Sequence, residues 1–388
     1  MKRILVLLVM LCMVVYTASS VAEVTYTLPI EGQIVLQNTP DRMIQANGMD
    51  DAGRFAANPV IAGESPVTGL PWQGRYLPMM AMVNNASGGV GKVTPWGTQY
   101  ADVTYEMMLT RDGVTRMICV FSDAVPDSVG PIRSTRHPAI MVHSEWQAGF
   151  LYWGGPDVSN NSIVQFFIET DVRRKGILFD GAGVASGVPP RRMWDSLQGV
   201  SAGADLNVNL SAVRDLIAED YVAPPRPFLF TDARLYDDRA GVRRFSLDFG
   251  SGGRISHFDY DEATDTYARS IDADGETLPY KSYLTGSSRQ TRNADEMVPL
   301  TYRNVIVQRT VYSFANNHGS MPLMDAVGSG NADIFIGGRY IPGYWVRTDL
   351  DSPTYYFDDL GNQIVLSRGK TFIALLPAIA RLCYQEAE

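Results

Sequence analysis

The sequence predicts an α+β protein in which a mixed α/β first domain precedes a β-rich second domain. At 388 residues the chain is long enough for two domains of ordinary size. Its composition, 45% hydrophobic and 19% charged, is typical of a packed globular protein. Strand-like and helix-like patterns alternate before Pro224-Pro225-Arg226-Pro227, and short strand-like runs dominate after it. This proline-rich stretch is therefore the predicted domain boundary.

The first 22 residues have the pattern of a signal peptide. A positively charged start precedes an apolar run over residues 4–16, and Ser20-Val21-Ala22 places small residues before a cleavage point. We expect cleavage after Ala22 and an exported protein, periplasmic or extracellular. No later stretch is long and apolar enough to cross a bilayer, so we expect no transmembrane span in the mature chain.

Cys12 lies inside the apolar run of the signal peptide. Leu11 precedes it, whereas a lipoprotein signal needs a small residue there, so we expect no lipid anchor. Residues 23–64 are interpreted as an N-terminal leader segment that contains one short strand at 33–36.

The first domain is predicted over residues 65–223. Alternating apolar residues on both sides of Arg111-Asp112-Gly113 predict a β-hairpin over 102–121. Apolar runs predict further strands at 77–83, 150–153 and 176–179. Helices are predicted from Ser134, as the capping residue, to 143, then over 158–170 and 210–221.

The second domain is predicted over residues 228–388, with a mostly antiparallel arrangement. Gly-rich turns separate its β-rich runs. These runs predict strands at 243–249, 255–260, 267–271, 304–311, 332–336, 355–357, 363–366 and 371–376.

The charge, the cysteines and the histidines restrict which classes of function the sequence is compatible with. A formal net charge of −9 gives no electrostatic basis for nonspecific nucleic-acid binding. Beyond the signal peptide only Cys119 and Cys383 remain, and they either pair in an oxidising compartment or stay free. The four histidines lack metal-ligand spacing and no phosphate-binding loop is present, so we expect neither a metal nor a cofactor.

The strongest candidate site is Val129-Gly-Pro-Ile-Arg-Ser-Thr-Arg136. The glycine and proline predict a turn, and Arg133 and Arg136 share a face if a helix starts there. Two guanidiniums beside the backbone amides of a helix start suit a carboxylate, phosphate or sulfate. The alternative is a structural network in which these arginines pair with Glu106, Asp102 or Asp180.

Further motifs carry a family resemblance from about residue 65 onward. They are Thr68-Gly69-Leu70-Pro71, Val83-Asn84-Asn85, Ala101-Asp102, Tyr105-Glu106, Gly113-Val-Thr-Arg116, Val120-Phe121-Ser122, Gly154-Gly155, Tyr260-Asp261, Tyr267-Ala268-Arg269, Asn304-Val-Ile-Val-Gln308, Gly343-Tyr-Trp345, Tyr356-Phe-Asp358 with Gly361, and Gly369-Lys-Thr371. With the central 129–136 stretch, they resemble the YerB family of bacterial envelope lipoproteins. The resemblance implies two successive domains and an envelope location, but no catalytic residues. This chain departs from the family at the lipid-attachment motif, at Tyr152-Trp153 and at Pro190-Arg191.

Our leading hypothesis is a binding protein for an anionic or glycan-like envelope ligand. Tyr105, Trp153 and Trp194 are candidate stacking surfaces. The predicted ligand-binding residues are Arg133, Ser134, Arg136, Glu106, Arg116, Asn84, Gly154, Gly155 and Asp180.

Two alternatives remain open. One is a hydrolase of envelope polymer that uses Glu106 or Asp180, because paired carboxylates suit glycoside cleavage. The other is a scaffold that docks another envelope component. The sequence identifies no catalytic residue and no oligomeric state.

Overall fold

The protein is represented by a computed structural model, which describes nine segments of the chain. They are residues 22–23, 58–85, 94–182, 207–250, 255–273, 276–284, 297–315, 319–378 and 380–386. The predicted signal peptide up to residue 21, the predicted strand at 33–36 and Trp194 lie outside the described residues. No helix within these segments is long and apolar enough to span a membrane.

The described residues before the proline-rich stretch form eight strands and three α-helices. The strands are β1 (Ala22–Glu23), β2 (Met79–Asn84), β3 (Val103–Met108), β4 (Thr115–Phe121), β5 (Gly149–Tyr152), β6 (Asp157–Val158), β7 (Asn161–Ser162) and β8 (Leu178–Asp180). The helices are α1 (His137–Trp146), α2 (Ile163–Glu169) and α3 (Leu210–Arg214). One 3₁₀ turn spans Thr98–Tyr100.

The described residues after the proline-rich stretch form strands. They are β9 (Leu229–Thr231), β10 (Val242–Asp248), β11 (Ile255–Asp261), β12 (Thr266–Ala273), β13 (Glu276–Pro279), β14 (Lys281–Tyr283), β15 (Met297–Pro299), β16 (Thr301–Tyr302), β17 (Asn304–Thr310), β18 (Tyr312–Phe314), β19 (Pro322–Met324), β20 (Gly328–Ile336), β21 (Arg339–Arg347), β22 (Tyr355–Asp358), β23 (Val365–Ser367), β24 (Thr371–Pro377) and β25 (Arg381–Glu386).

A single ten-stranded sheet runs through both halves of the chain. Its order is β22-β21-β20-β17-β24-β3-β4-β2-β5-β8, so each half supplies five neighbouring strands. The halves meet where β24 lies parallel to β3, with Thr371 opposite Val103 and Leu375 opposite Met107. Backbone hydrogen bonds therefore join the two halves edge to edge.

Both faces of this sheet are covered. A second sheet, of order β1-β25-β10-β11-β12-β13, packs on one face, where Phe245 stacks on Phe335 at 3.7 Å between ring centroids. Helices α1 and α2 cover part of the other face, where Phe167 packs near Phe150. The described protein is thus β-rich with few helices, compatible with the α+β class.

The structure refines several predicted elements. The hairpin over 102–121 is confirmed as β3 and β4. The helix predicted over 158–170 begins only at Ile163, because Asp157–Val158 and Asn161–Ser162 first pair as a small hairpin. The predicted 210–221 helix ends at Arg214.

The most conspicuous omission from the prediction is β21. Its Pro342 and Gly343 are typical strand breakers, yet tertiary pairing on both sides keeps the strand extended. A side chain at Gly343 would collide with the carbonyl oxygen of Phe357, so close packing explains this glycine. The finer prediction of an α/β first domain stays a prediction, because the first-half strands share their sheet with the second half.

The two cysteines are free. Cys119 is buried on β4, and burial raises the pKa of its thiol to about 12. Cys383 lies on β25 opposite Ser246 of β10. The pairing alternative is therefore not realised in this structure.

A buried ion pair reinforces the junction between the halves. Arg269 on β12 donates to Glu106 on β3 at 2.8 Å, with side-chain exposures of 1% and 2%. Asn85 and Thr115 donate to the other carboxylate oxygen at 2.7 and 2.6 Å. The guanidinium also lies over the Tyr280 ring, 4.4 Å from its centroid. Every oxygen of this carboxylate is thus engaged by the protein.

A second buried carboxylate, Asp102, precedes β3. Its Oδ2 accepts hydrogen bonds from the backbone N–H groups of Ser122 and Asp123 at 2.7 and 2.9 Å. Burial, followed by the nearby charge of Asp123, raises the pKa of Asp102 to about 7. Asp123 in turn accepts from Ser65 and Thr68, and so fastens the loop before β2 to the sheet.

Replacing Arg269 with Met is expected to destabilise the fold by about 3–5 kcal/mol, because Glu106 would be left buried without its cation. Adding Glu106→Gln should recover about 1–3 kcal/mol of this loss. Urea unfolding of the two variants measures both quantities. If the double variant were no more stable than Arg269→Met alone, the ion pair would not be the dominant interaction here.

The raised pKa of Asp102 predicts a specific pH dependence. The folded protein holds this proton up to about pH 7, whereas the unfolded chain loses it near pH 4. Stability should therefore fall as pH rises from 4 to 7, by at most about 1.4 kcal/mol per pH unit from this group. Thermal unfolding of Asp102→Asn should lack this component. An identical pH profile in the variant would contradict the assignment.

Candidate functional site

The loop over residues 129–136 lies between the carboxyl ends of β2 and β5. Arg133 N–H donates to Met82 O at 2.9 Å, and Asn84 N–H donates to Pro131 O at 2.9 Å. On its other side, Trp153 N–H donates to Arg133 O at 3.0 Å. Strands β2 and β5 pair in parallel only up to Ala81, and the loop occupies the space where they separate. The carboxyl ends of parallel strands are a common location for ligand sites.

This geometry differs from the predicted helix start. Helix α1 begins at His137 with Arg136 as the preceding residue, and no side chain caps its first turn. Ser134 is therefore not the cap, and Arg133 precedes the helix instead of sharing its first turn. The backbone of the loop, rather than a helical face, positions the two arginines.

Arg116 joins the loop from the neighbouring strand β4. It lies directly opposite Asn84 of β2 in the sheet register, and its Nη1 donates to Ser134 O at 2.5 Å. The residue is only 8% exposed, and its Nε is buried without a hydrogen-bond partner. One donor of this guanidinium is thus unused.

Three guanidiniums share this small region. Burial, followed by the positive charges of Arg136 and Arg133, lowers the pKa of Arg116 to about 9. Burial also lowers the pKa of Arg136, whose Nε donates to Ser320 O at 3.1 Å and Nη1 to Thr135 O at 2.8 Å. The guanidiniums of Arg116 and Arg136 thus donate their hydrogen bonds to carbonyl oxygens and not to carboxylates. We call Arg116, Arg133 and Arg136 the arginine cluster.

Within the described segments, no carboxylate forms an ion pair with the arginine cluster. The three acids proposed as structural partners are engaged elsewhere. Glu106 binds Arg269, and Asp102 accepts backbone N–H groups. Asp180 accepts from Gly154 N–H at 2.7 Å and from Ala182 N–H at 2.8 Å. The structural-network alternative, with these acids as counterions, is therefore wrong.

The paired glycines support the loop through their backbone. Gly154 has a φ of 62°, which favours glycine, and its carbonyl accepts from Thr135 N–H at 2.9 Å. A side chain at Gly155 would press on Ile163 and on the Thr135 carbonyl. Asp180 stabilises this turn by accepting the hydrogen bond from Gly154 N–H. These three predicted residues thus lie beside the loop and position it.

Glu106 does not belong to this group. In the β3–β4 register Glu106 faces Met117, whereas Met107 faces Arg116, so Glu106 and Arg116 project from opposite faces of the sheet. Glu106 and Arg116 therefore form no ion pair with each other. Asp180 lies four strands from Glu106, about 19 Å away at the usual strand spacing. The two carboxylates are too far apart for a glycosidase pair, which needs about 5–10 Å.

Tyr105 and Trp153, two of the predicted stacking residues, pack against the core. Tyr105 is buried in the core and accepts from Trp146 Nε1 at 2.9 Å. Trp153 is half-buried and packs with the core cluster that contains Ile132. Burial lowers the pKa of His137 to about 4, so this residue adds no charge at neutral pH. Within the described segments, no cluster of three or more metal-ligating side chains is present.

The second half of the chain contributes residues that the sequence did not indicate. Ser320 accepts from Arg136, and Met324 N–H donates to Nδ1 of His137 at 3.1 Å. Both lie nearly 190 residues away along the chain, in or beside the β18–β19 hairpin. No local pattern could have placed them at the site.

A charged cleft of about 760 Å³ lies elsewhere, at the amino ends of β17 and β24. Its arginines are neutralised by acids of the protein. Arg368 pairs with Glu64 at 2.8 Å and with Asp232 at 3.2 Å, and Arg303 pairs with Asp265 at 2.9 Å. The arginine cluster differs because no described acid balances it.

Comparisons with known proteins place the chain in a family. Residues 67–181 match the model of the N-terminal domain, and residues 245–373 that of the C-terminal domain, of a protein of unknown function (DUF3048). "Putative lipoprotein YerB" of Bacillus subtilis (strain 168) is 23% identical over 334 residues, which cover 81% of this chain and 86% of that protein.

A solved structure shows the same fold. The crystal structure of YerB protein from Bacillus subtilis matches with a TM-score of 0.60 and 18% identity, and covers 82% of this chain and 99% of the other. The two domain matches and this relative agree with the resemblance that the motifs indicated. The chain belongs to the DUF3048 family of proteins of unknown function, which includes YerB.

Proposed function

We propose that this protein is an exported cell-envelope protein that binds an anionic or glycan-like ligand through the arginine cluster. The observation that carries the proposal is the gathering of three guanidiniums for which no described carboxylate serves as counterion. Asn84, Ser134, Gly154, Gly155 and Asp180 support this site, and Glu106 serves the fold instead.

The positive charges of the arginine cluster favour the binding of an anion. Like charges in a partly buried region repel one another, and the depressed pKa of Arg116 reflects burial together with this repulsion. A bound carboxylate, phosphate or sulfate would offset the repulsion and accept charge-assisted hydrogen bonds. Arginine forks suit such planar or tetrahedral oxyanions.

The unused donor of Arg116 adds a geometric argument. A buried N–H without an acceptor costs about 1–3 kcal/mol. Proteins keep such donors rarely, and ligand sites are one place where they occur. An oxyanion that reached this region would provide the missing acceptor.

The hydrolase alternative receives less support. Glu106 is saturated by four donors of the protein, and both described bonds of Asp180 oxygens go to backbone N–H groups. A carboxylate that is held in this way is poorly placed to transfer a proton to a substrate. The scaffold alternative has no specific observation in its favour.

Export rests on the signal-peptide pattern and on the name of the relative, which describes a lipoprotein of a bacterium. An envelope location would bring the site close to acidic wall polymers and lipid headgroups. Both carry the oxyanions that the arginine cluster would bind.

Phosphate or sulfate is expected to raise the thermal midpoint more than chloride does at equal ionic strength, because only the multivalent oxyanions bridge two guanidiniums. Arg133→Ala/Arg136→Ala should abolish this difference while its own midpoint stays within a few degrees of the wild type. N-Acetylmuramic acid, which carries a carboxylate, should act like phosphate, and neutral N-acetylglucosamine should not. Differential scanning fluorimetry measures each shift.

A matched control removes two exposed arginines, Arg174 and Arg243, and should retain the full phosphate response. The proposal fails if the cluster variant still responds like the wild type. It also fails if Arg133→Lys/Arg136→Lys, which keeps the charge, cannot fold, since the arginines would then be structural.

The signal-peptide prediction is tested by expressing the complete chain in a bacterium. Mass spectrometry of the mature protein should show Glu23 as the first residue and no lipid, because Leu11 precedes Cys12. Cys12→Ser should leave processing unchanged. A mature chain that begins at a lipidated Cys12 would refute the prediction and would match the description of the relative.

A further inference from the structure

A second cavity, of about 670 Å³, opens at the carboxyl ends of the three parallel strands β3, β17 and β24. This volume lies within the range of about 300–1,000 Å³ that is usual for small-molecule sites. It is separate from the arginine cluster and from the charged cleft at the amino ends of the same strands.

The walls of the cavity are largely apolar. Phe249 and Pro377 are buried, and Phe314 is half-buried. Val311, at the mouth, is 56% exposed, which is high for a large apolar side chain in this protein. Apolar side chains around an open cavity favour an apolar guest, because its binding removes their surface from water.

Two guanidiniums lie at the rim. The guanidinium carbon of Arg111 is 5.2 Å from the centroid of the Phe314 ring, and the exposed Arg381 also lines the cavity. Neither forms an ion pair with a described residue. Asp248 also lines the cavity, opposite Arg381 in the β10–β25 register, and its Oδ1 accepts from Gly250 N–H at 2.9 Å, so the rim holds two guanidiniums and one carboxylate. The rim therefore carries a net positive charge.

The fold explains why these features meet. Arg111 is in the turn that follows β3, and Arg381 begins β25 shortly after β24 ends. Val311 follows β17 directly. Three parallel strands that end together thus place two cations and an exposed apolar residue around one opening.

We propose that this cavity binds a single-chain amphiphile with an anionic head. The hydrocarbon chain lies against Phe249, Phe314 and Pro377, and a carboxylate or phosphate head accepts from Arg111 and Arg381. A neutral polar ligand would leave the apolar walls without a partner, and an uncharged amphiphile would leave the two guanidiniums unused. The cavity is lined by none of the three residues of the arginine cluster.

The test uses the full mature chain and dodecanoate below its micelle concentration, measured by isothermal titration calorimetry. Dodecanoate is expected to bind one to one and about tenfold more tightly than dodecyl maltoside, which has the same chain and no charge. Arg111→Ala/Arg381→Ala should reduce the affinity for dodecanoate to that of the maltoside. Val311→Glu, at an exposed position, should abolish the binding of dodecanoate.

The control variant Arg174→Ala/Arg243→Ala removes the same charge elsewhere and should bind dodecanoate normally. Equal affinity for the charged and neutral amphiphiles, or unchanged binding by Val311→Glu, would overturn the proposal. The proposal would also be overturned if the protein did not bind dodecanoate but sedimented with phosphatidylglycerol vesicles, since the face would then dock on a membrane.

Discussion

The parallel pairing of β3 with β24 holds the two halves of the chain together. It joins strands nearly 270 residues apart into one sheet, and buries Glu106 where Arg269 of the second sheet can reach it. Replacing only one partner of the Glu106–Arg269 ion pair leaves the other charge buried in the protein interior, which solvates it poorly. The apolar cavity at the carboxyl ends of β3, β17 and β24 follows directly from this alignment.

The charged side chains of the protein are distributed unevenly over this structure. Buried acids such as Glu106 and Asp333 are paired with Arg269 and Arg309, and Asp180 is held by backbone N–H groups. The arginine cluster and the rim of the apolar cavity are different, because their guanidiniums form no ion pair with a described acid, and at the rim two guanidiniums outnumber the single carboxylate of Asp248. A protein with a net negative charge thus presents local positive regions, and such regions attract anions irrespective of the total charge.

Much of the local structure was predictable from residues close in sequence. The β3–β4 hairpin has a turn at Asp112-Gly113 and alternating apolar residues, and both signals are local. The strand β21 was not predictable, because Pro342 and Gly343 oppose it and only its neighbours stabilise it. At the site, Arg133 and Arg136 were identified correctly as neighbours, but the helix start assumed for them was wrong, and Ser320 had no signal at all.

Residues close together in the chain were sufficient to indicate the family, the β-rich character of the second half and the cluster of special residues at 129–136, because motifs, alternation and turn chemistry act over a few residues. Long-range packing, by contrast, turns Glu106 away from Arg116, pairs it with Arg269 and places the loop between β2 and β5. Sheet register sets which face a side chain occupies, and a shift of one residue reverses it. That register is fixed by packing between distant strands, which no short stretch of sequence contains.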